Sequence, residues 1–329
     1  MKRALFRQHG NPADVIEIIE EDDPIPGAGK IRVRNSVMTI NPADLLSVEG
    51  RYGTEPLSLP ATPGVGAYGI VDMIGEGVTR LAVGDAVLPI GTGLWADTVI
   101  LAERMALKAP VGADPEQAAL MRANPGTAYL LLTDIVDLQP GDWVVQNAAN
   151  SNVGRMVIRF AREMGLHTVN IVRRADVVDA LISDGADAVI VDEGQDIAVA
   201  IDQVAQVAPK LALDAVGGAM TRALGAALAT RGTVVTYGLL SGQPNESDAR
   251  DVVFRDIRLR GFWLFDWFQT AAPEKIQALQ RFLETKLIEG VLQTDVDARY
   301  PLVLIKEAVA HAARGGRNGK ILLIGDSDA

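Results

Sequence analysis

The 329-residue sequence contains no cysteine, which excludes disulfides, thiolate zinc sites and cysteine nucleophiles together. It has only three histidines, His9, His167 and His311, and none stands in a metal-ligand spacing such as H-E-x-x-H, so no metal site is expected. No apolar run reaches the roughly 20 residues needed to cross a bilayer. The opening "MKRALFRQHG" is too short and too polar for a secretory segment. A soluble, untargeted, cytoplasmic chain with no membrane partner is therefore expected. Positive charge is in deficit, with 31 Lys and Arg against 42 Asp and Glu and a formal net charge of −11. Neutralising phosphates needs clustered cations, so nucleic acid is not expected as a partner. One local basic stretch, "RNGK", stands near the C-terminus.

What is present is enough for two domains with a sizeable core, at 48% hydrophobic and 22% charged residues. Residues 2–110 read as mostly β, with short apolar runs such as "IRVRNSVMTI" and "DAVLPIG" between Gly and Pro punctuation. "DPEQAALMRANPGTAYLLLTDIV" then has helical spacing, with Asp114 as N-cap and Pro115 in the first turn. From about 140 to 260 apolar runs alternate with helical segments. That pattern implies parallel strands joined by helical crossovers, a doubly wound sheet. A helix near 273–289, a strand near 295–300, a helix near 303–313 and a last strand "GKILLIG" follow. The domains are drawn as 1–118, 119–261 and a return to the first over 262–329, and the cleft between domains is the expected site.

"DWVVQNAANSNVGRMVIRF" has the strand, turn and helix order of a dinucleotide-binding site, but its turn holds one glycine, Gly154. Glycines in that turn allow a tight bend and close approach of backbone to pyrophosphate, beside the free N–H groups of a helix N-terminus. Ala, Ser and Asn are small, and Asn tolerates left-handed geometry. Asn150, Ser151 and Asn152 add side-chain donors. The alternative is a capped helix in a plain α/β domain. Nineteen residues after Gly154, where an NAD site carries a carboxylate for the ribose, stand Arg173 and Arg174. Two guanidiniums suit a 2′-phosphate and favour NADP(H); a solvated pair is the other reading.

With "NPADLLSVEGRYG", "RANPGTAYLLL", "QNAANSNVGRMVI", "VTYG" and "RGFWL" in view, the sequence resembles the medium-chain dehydrogenase/reductase superfamily along essentially its whole length. Within it, it is most similar to the zinc-free 2-enoyl thioester reductases, the mitochondrial-type trans-2-enoyl-CoA/acyl carrier protein reductases. The resemblance implies an α/β chain with a distorted β-barrel (GroES-like) catalytic domain, a central Rossmann domain, NADPH as cofactor and a homodimer. It places the catalytic tyrosine on Tyr52. It places cofactor contacts on Asn124, on Asn150, Ser151, Asn152 and Val153, and on Arg173 and Arg174. Further contacts fall on Tyr237, Gly238, Leu239 and Leu240, on Phe262, Trp263 and Leu264, and on Lys320. Two departures stand out: "GVGAYG" over 64–69 where the family often has "GNEG", and Ala175 where it often has a second arginine.

The implied reaction is NADPH-dependent reduction of the 2,3 double bond of a 2-enoyl thioester, carried on coenzyme A or on acyl carrier protein. Tyr52, a neutral donor at pH 7, would assist at the thioester oxygen or in proton delivery. A quinone oxidoreductase or alkenal/enone reductase of the same superfamily is the nearest alternative, and a non-catalytic NADPH-binding protein is another. "GFWLFDWF", residues 261–268, gathers five of the sixteen aromatic residues and reads either as an acyl and nicotinamide wall or as a core or interface strand. Asn124 stands before Pro125, so it reads otherwise as a helix end. Lys320 reads otherwise as a solvated lysine. Asp214, in "LALDAVGG", reads as part of a strand-end turn.

Overall fold

The computed structural model describes residues 1–325, which form two compact units. One is Ala123–Arg281; the other is Met1–Arg122 with the chain from Phe282 onward.

The central unit is built on a six-stranded, wholly parallel sheet. Across the sheet the order is Ala188–Val191, His167–Val172, Trp143–Gln146, Leu211–Asp214, Thr233–Thr236, Arg258–Gly261. The chain begins in the middle, winds outward to one side, then returns and winds to the other. Such an order has a switch point between Trp143–Gln146 and Leu211–Asp214, and ligands of these sheets bind beyond the carboxyl ends there. The inner strands are continuous apolar runs because helices cover both faces. Ile171, Val145, Ala212 and Val234 sit in one buried cluster with Ile201 and Leu224 from the covering helices.

The other unit centres on the ten-residue strand Lys30–Thr39, which pairs antiparallel with Ala67–Ile74, with Thr98–Ala102 and with Lys320–Ile324. Lys320–Ile324 also pairs parallel with Val296–Pro301, so the end of the chain is woven into the sheet its beginning builds. Trp95 is fully buried in this core and donates Nε1–H to Thr39 O at 2.9 Å. Gly64, at φ +103°, lies so close to Trp95 that a Cβ there would stand 2.4 Å from the indole Cδ1. A Cβ on Gly69 would stand 2.4 Å from Arg34 O, so glycine at both ends of "GVGAYG" is dictated by packing.

Three sequence expectations are corrected. The helical stretch after Asp114 is two helices, Pro115–Leu120 and Ala123–Thr133, because Pro125 has no N–H for a helix interior and fits only a first turn. Asn124 therefore opens a helix instead of ending one. The aromatic segment is not a strand: the strand Arg258–Gly261 ends before the first aromatic residue, and Leu264–Thr270 is a helix. The return to the first unit comes at Phe282, twenty residues beyond the expected 262.

Candidate active site

The turn after Trp143–Gln146 solves the bend without the usual glycines. Ala148 takes the left-handed conformation itself, at φ 47°. Its carbonyl accepts the Ser151 N–H at 2.8 Å. Ser151 is then the N-cap of the helix Asn152–Glu163, its Oγ accepting from Gly154 N at 3.1 Å. The single glycine that remains is the one that packing demands: a Cβ on Gly154 would lie 2.5 Å from Ala149 O and 2.7 Å from Ala149 Cα. Asn150 is exposed, and Ser151, Asn152 and Val153 are half-buried around the first helical turn. The N–H groups of that turn precede the first intrahelical acceptors, and with the helix dipole they form an anion-binding end.

Three further strand ends meet the same edge of the sheet. Past His167–Val172, Arg173 is exposed, whereas Arg174 is clamped by Asp176, with Nε and Nη2 each 2.9 Å from a carboxylate oxygen. The two arginines are thus not equivalent. Past Thr233–Thr236, the segment Tyr237–Leu240 keeps pairing with the neighbouring chain: Tyr237 N–H donates to Asp214 O at 2.9 Å and Leu240 N–H to Ala215 O at 3.1 Å. A Cβ on Gly238 would stand 2.6 Å from Ala215 O. The Tyr237 hydroxyl is buried and lacks a hydrogen-bond partner among the described residues. Burial, and then the Asp214 carboxylate, push its ionisation up, while the nearby Ser151 hydroxyl pulls the other way, so it is a neutral phenol beside the turn. Past Arg258–Gly261, Phe262 N–H donates to Thr236 O at 3.0 Å, Trp263 caps the helix Leu264–Thr270, and Leu264 begins it. Asn124, half-buried, lies in the first turn of Ala123–Thr133 in the same unit.

Buried polar side chains tie this edge together. Asp214 Oδ1 accepts from Asn147 Nδ2 at 2.6 Å and from the Val216 and Gly217 N–H groups at 2.9 Å each; Oδ2 accepts from Thr221 Oγ1 at 2.6 Å. Asn147 Oδ1 in turn accepts from Ala215 N–H at 2.8 Å. Gln146 Nε2 donates to Gly154 O at 2.9 Å and to Asn170 Oδ1 at 2.7 Å. Asp214 is thus the hub of the strand-end turn, holding two strands at the switch point. The signal for these missed residues was their polarity inside runs that are otherwise apolar, "WVVQNA" and "HTVNIV".

Two expected residues belong to the other unit. Tyr52 is half-buried in the bend after the helix Pro42–Val48, between Gly50 at φ +73° and Gly53 at φ +85°. Lys320 is buried, not solvated, and donates to Asn41 Oδ1 at 2.6 Å. The histidines have structural partners: His9 meets Val48 O, His167 pairs with Asp187 and stacks on Trp143, and His311 bridges Tyr300 and Asp297. Among the described residues no group of three or more acidic or histidine side chains is placed to hold a metal ion.

Two family models match the chain, an alcohol dehydrogenase GroES-like domain over residues 27–111 and a zinc-binding dehydrogenase over 152–284. The human mitochondrial enoyl-[acyl-carrier-protein] reductase is 35% identical over 311 residues, 92% of this chain and 83% of that protein. A mitochondrial 2-enoyl thioester reductase from Candida tropicalis superposes with a TM-score of 0.86 at 25% identity, covering 98% of this chain and 99% of that one. Escherichia coli quinone oxidoreductase, solved with NADPH, superposes with a TM-score of 0.88 at 25% identity, covering 98% and 100%. With a GroES-like unit, a doubly wound parallel sheet and relatives along nearly its whole length, this chain belongs to the medium-chain dehydrogenase/reductase superfamily of oxidoreductases, in the family of the mitochondrial enoyl-[acyl-carrier-protein] reductases.

Proposed function

We propose that the protein is an NADPH-dependent reductase of the 2,3 double bond of 2-enoyl thioesters. The observation that carries the cofactor half is the convergence of four strand ends at the switch point. They bring a helix N-terminus, the exposed Arg173 and the orphaned Tyr237 hydroxyl to one edge. Those residues fit a dinucleotide: the turn at Asn150–Val153 takes the pyrophosphate, and Arg173, with Arg174 in part, takes the 2′-phosphate. Tyr237–Leu240, Phe262–Leu264, Asn124 and Lys320 are the remaining contacts in this reading. NADPH, when bound, supplies hydride to the β-carbon. Tyr52 donates a hydrogen bond to the thioester oxygen, stabilising it as it gains enolate character, or passes the proton on to the α-carbon. The substrate half is supported by the identity with enoyl-[acyl-carrier-protein] reductases.

A homodimer in the cytoplasm completes the reading, with the carrier either coenzyme A or acyl carrier protein. For the dimer the supporting observation is the sheet's edge strand Arg258–Gly261, exposed at every residue. The quinone or enone reductase reading is favoured by one observation, the glycine-packed "GVGAYG" in place of the thioester family's pattern. Consumption of NADPH and NADH with a short 2-enoyl-CoA, a longer one and a simple quinone tests the proposal. Rapid NADPH oxidation with enoyl-CoA is expected, and Tyr52→Phe should bind NADPH normally while losing turnover about a hundredfold or more, the low end of what one donor to a developing oxyanion is worth. Turnover with quinone alone would move the protein to the other branch, and NADPH binding with no turnover would make it a binder.

A further inference from the structure

Two buried charges of opposite sign stand in the N-terminal unit. Asp44, in the first turn of the helix Pro42–Val48, is 1% exposed; Lys320, at the start of Lys320–Ile324, is 8% exposed. They act on one another through charge, with Asn41 standing between. Asn41 N–H donates to Asp44 Oδ2 at 2.7 Å, and Asn41 Oδ1 accepts from Lys320 Nζ at 2.6 Å. The ammonium can only donate, which fixes which way the Asn41 amide points, and Nδ2 then donates to Thr39 Oγ1 at 3.0 Å. Neither charge is satisfied. Asp44 Oδ1 is buried without a hydrogen-bond partner among the described residues, the Val65 N–H acting on the carboxylate without reaching bonding geometry. An ammonium has three donors, and among the described residues Lys320 has one acceptor, the neutral Asn41.

Burying an unpaired charge is unfavourable, and a fold with no use for the pair gains by replacing it with apolar side chains. We propose that Asp44 is a positioning residue. Through Asn41 it keeps the Lys320 ammonium charged and fixed in direction, so that its two uncommitted donors meet a hydroxyl or phosphoryl oxygen of the bound dinucleotide. The inference rests on the reading of Lys320 as a cofactor contact. The charged groups acting on Lys320 are Asp44 from the helix, which favours the ammonium, and Arg317 from the loop before the strand, which opposes it. The flanking strands Lys30–Thr39 and Val296–Pro301 add, among the described residues, no further charged group that acts on it, although the second carries Asp297 and Arg299. Burial draws Lys320 down to about 8 and pushes Asp44 up to about 7. Without Asp44, the one acid that offsets burial is gone and Lys320 loses its proton at a lower pH.

The test uses the full chain, its Asp44→Asn variant, which keeps an acceptor for the Asn41 N–H, and Asp44→Glu, which keeps the charge. Lysine labelled with 13C at Cε, with the Lys320 signal assigned through Lys320→Arg, gives the titration midpoint without cofactor. NADPH titrations from pH 6 to 9 give affinity. Asp44→Asn is expected to lower the Lys320 midpoint by about one pH unit or more and to weaken NADPH about tenfold at pH 8 but little at pH 6, and Asp44→Glu to recover part of both. An unmoved midpoint overturns the proposal, as does a loss of affinity equal at every pH, which marks a merely structural acid. A lowered midpoint with unchanged NADPH affinity overturns the cofactor role of Lys320 and with it the proposal. If the wild-type chain binds no NADPH, the proposed function fails, while the midpoint still decides whether Asp44 holds the ammonium.

Discussion

At the scale of single residues, the pair at 173 and 174 gives the sharpest expectation. Arg174 is engaged by Asp176, and Arg173 is exposed. A hydrogen bond to a charged group contributes about 1.5–3 kcal/mol, and each 1.4 kcal/mol is a tenfold change in affinity. Arg173→Ala should therefore weaken NADPH by about tenfold or more and leave NADH unchanged, read by fluorescence titration of both nucleotides. Asp176→Ala releases Arg174 and removes a carboxylate from the site, so NADPH should bind more tightly in that variant. Equal affinities for wild type and Asp176→Ala would mean that Arg174 takes no part. The sequence displays both arginines identically. What separates them is an acid two residues on, whose reach depends on a 3₁₀ turn at Ala175–Val177 that no periodicity announces.

At the scale of elements, the turn at Ala148–Gly154 holds two opposed substitutions. Ala is the better helix former than Gly by roughly 0.5–1 kcal/mol, so propensity alone favours Gly154→Ala. The backbone of Ala149 forbids it, and forcing a methyl group into close packing costs about 1–3 kcal/mol. Gly154→Ala should lower the melting temperature and weaken NADPH through displacement of the helix start. Ala148→Gly relieves a left-handed alanine that costs roughly 1–2 kcal/mol, against a glycine entropy cost of roughly 0.5–1 kcal/mol. It should be neutral to mildly stabilising, and a melting temperature several degrees lower would contradict that. The alternation of strands and helices was legible because a sheet covered on both faces writes itself as apolar runs. The helix at Leu264–Thr270 was not: aromatic residues favour strands, and it is tertiary packing that overrides this, with the buried Trp267 reaching Asp134 Oδ2 at 3.0 Å.

At the scale of the whole molecule, Asp44 leaves a mark on the pH dependence of folding. Its carboxyl is raised from 3.8 to about 7, so between those values the folded chain binds more protons than the unfolded one and stability falls as pH rises. Lys320 is lowered from 10.5 to about 8; there the unfolded chain binds more protons, and stability recovers as pH rises through that window. Urea unfolding at pH 5 and pH 7.5 should show the wild type losing more stability than Asp44→Asn over that interval, by a difference on the order of 1–3 kcal/mol. Identical losses would place the titration elsewhere. Such burials were not legible: "NPAD" and "NGK" lie at opposite ends of the sequence, and only the return of the last strand to Lys30–Thr39 brings them together. The exposed edge strand carries the remaining expectation. Phe254 at 78% exposure and Val253 at 69% lie just before it, and open edges invite pairing. Sedimentation should find a dimer, and Leu259→Lys on that edge should shift it toward monomer.

The fully buried Trp95 belongs to one unit and Trp143, 5% exposed, to the other. Each compact unit thus carries its own built-in optical probe. With Trp263 and Trp267 changed to phenylalanine, emission from Trp95 and Trp143 would follow the melting of the two units within one unlabelled chain. Coincident transitions would mean that the units unfold as one cooperative block; separated ones would rank the two in stability.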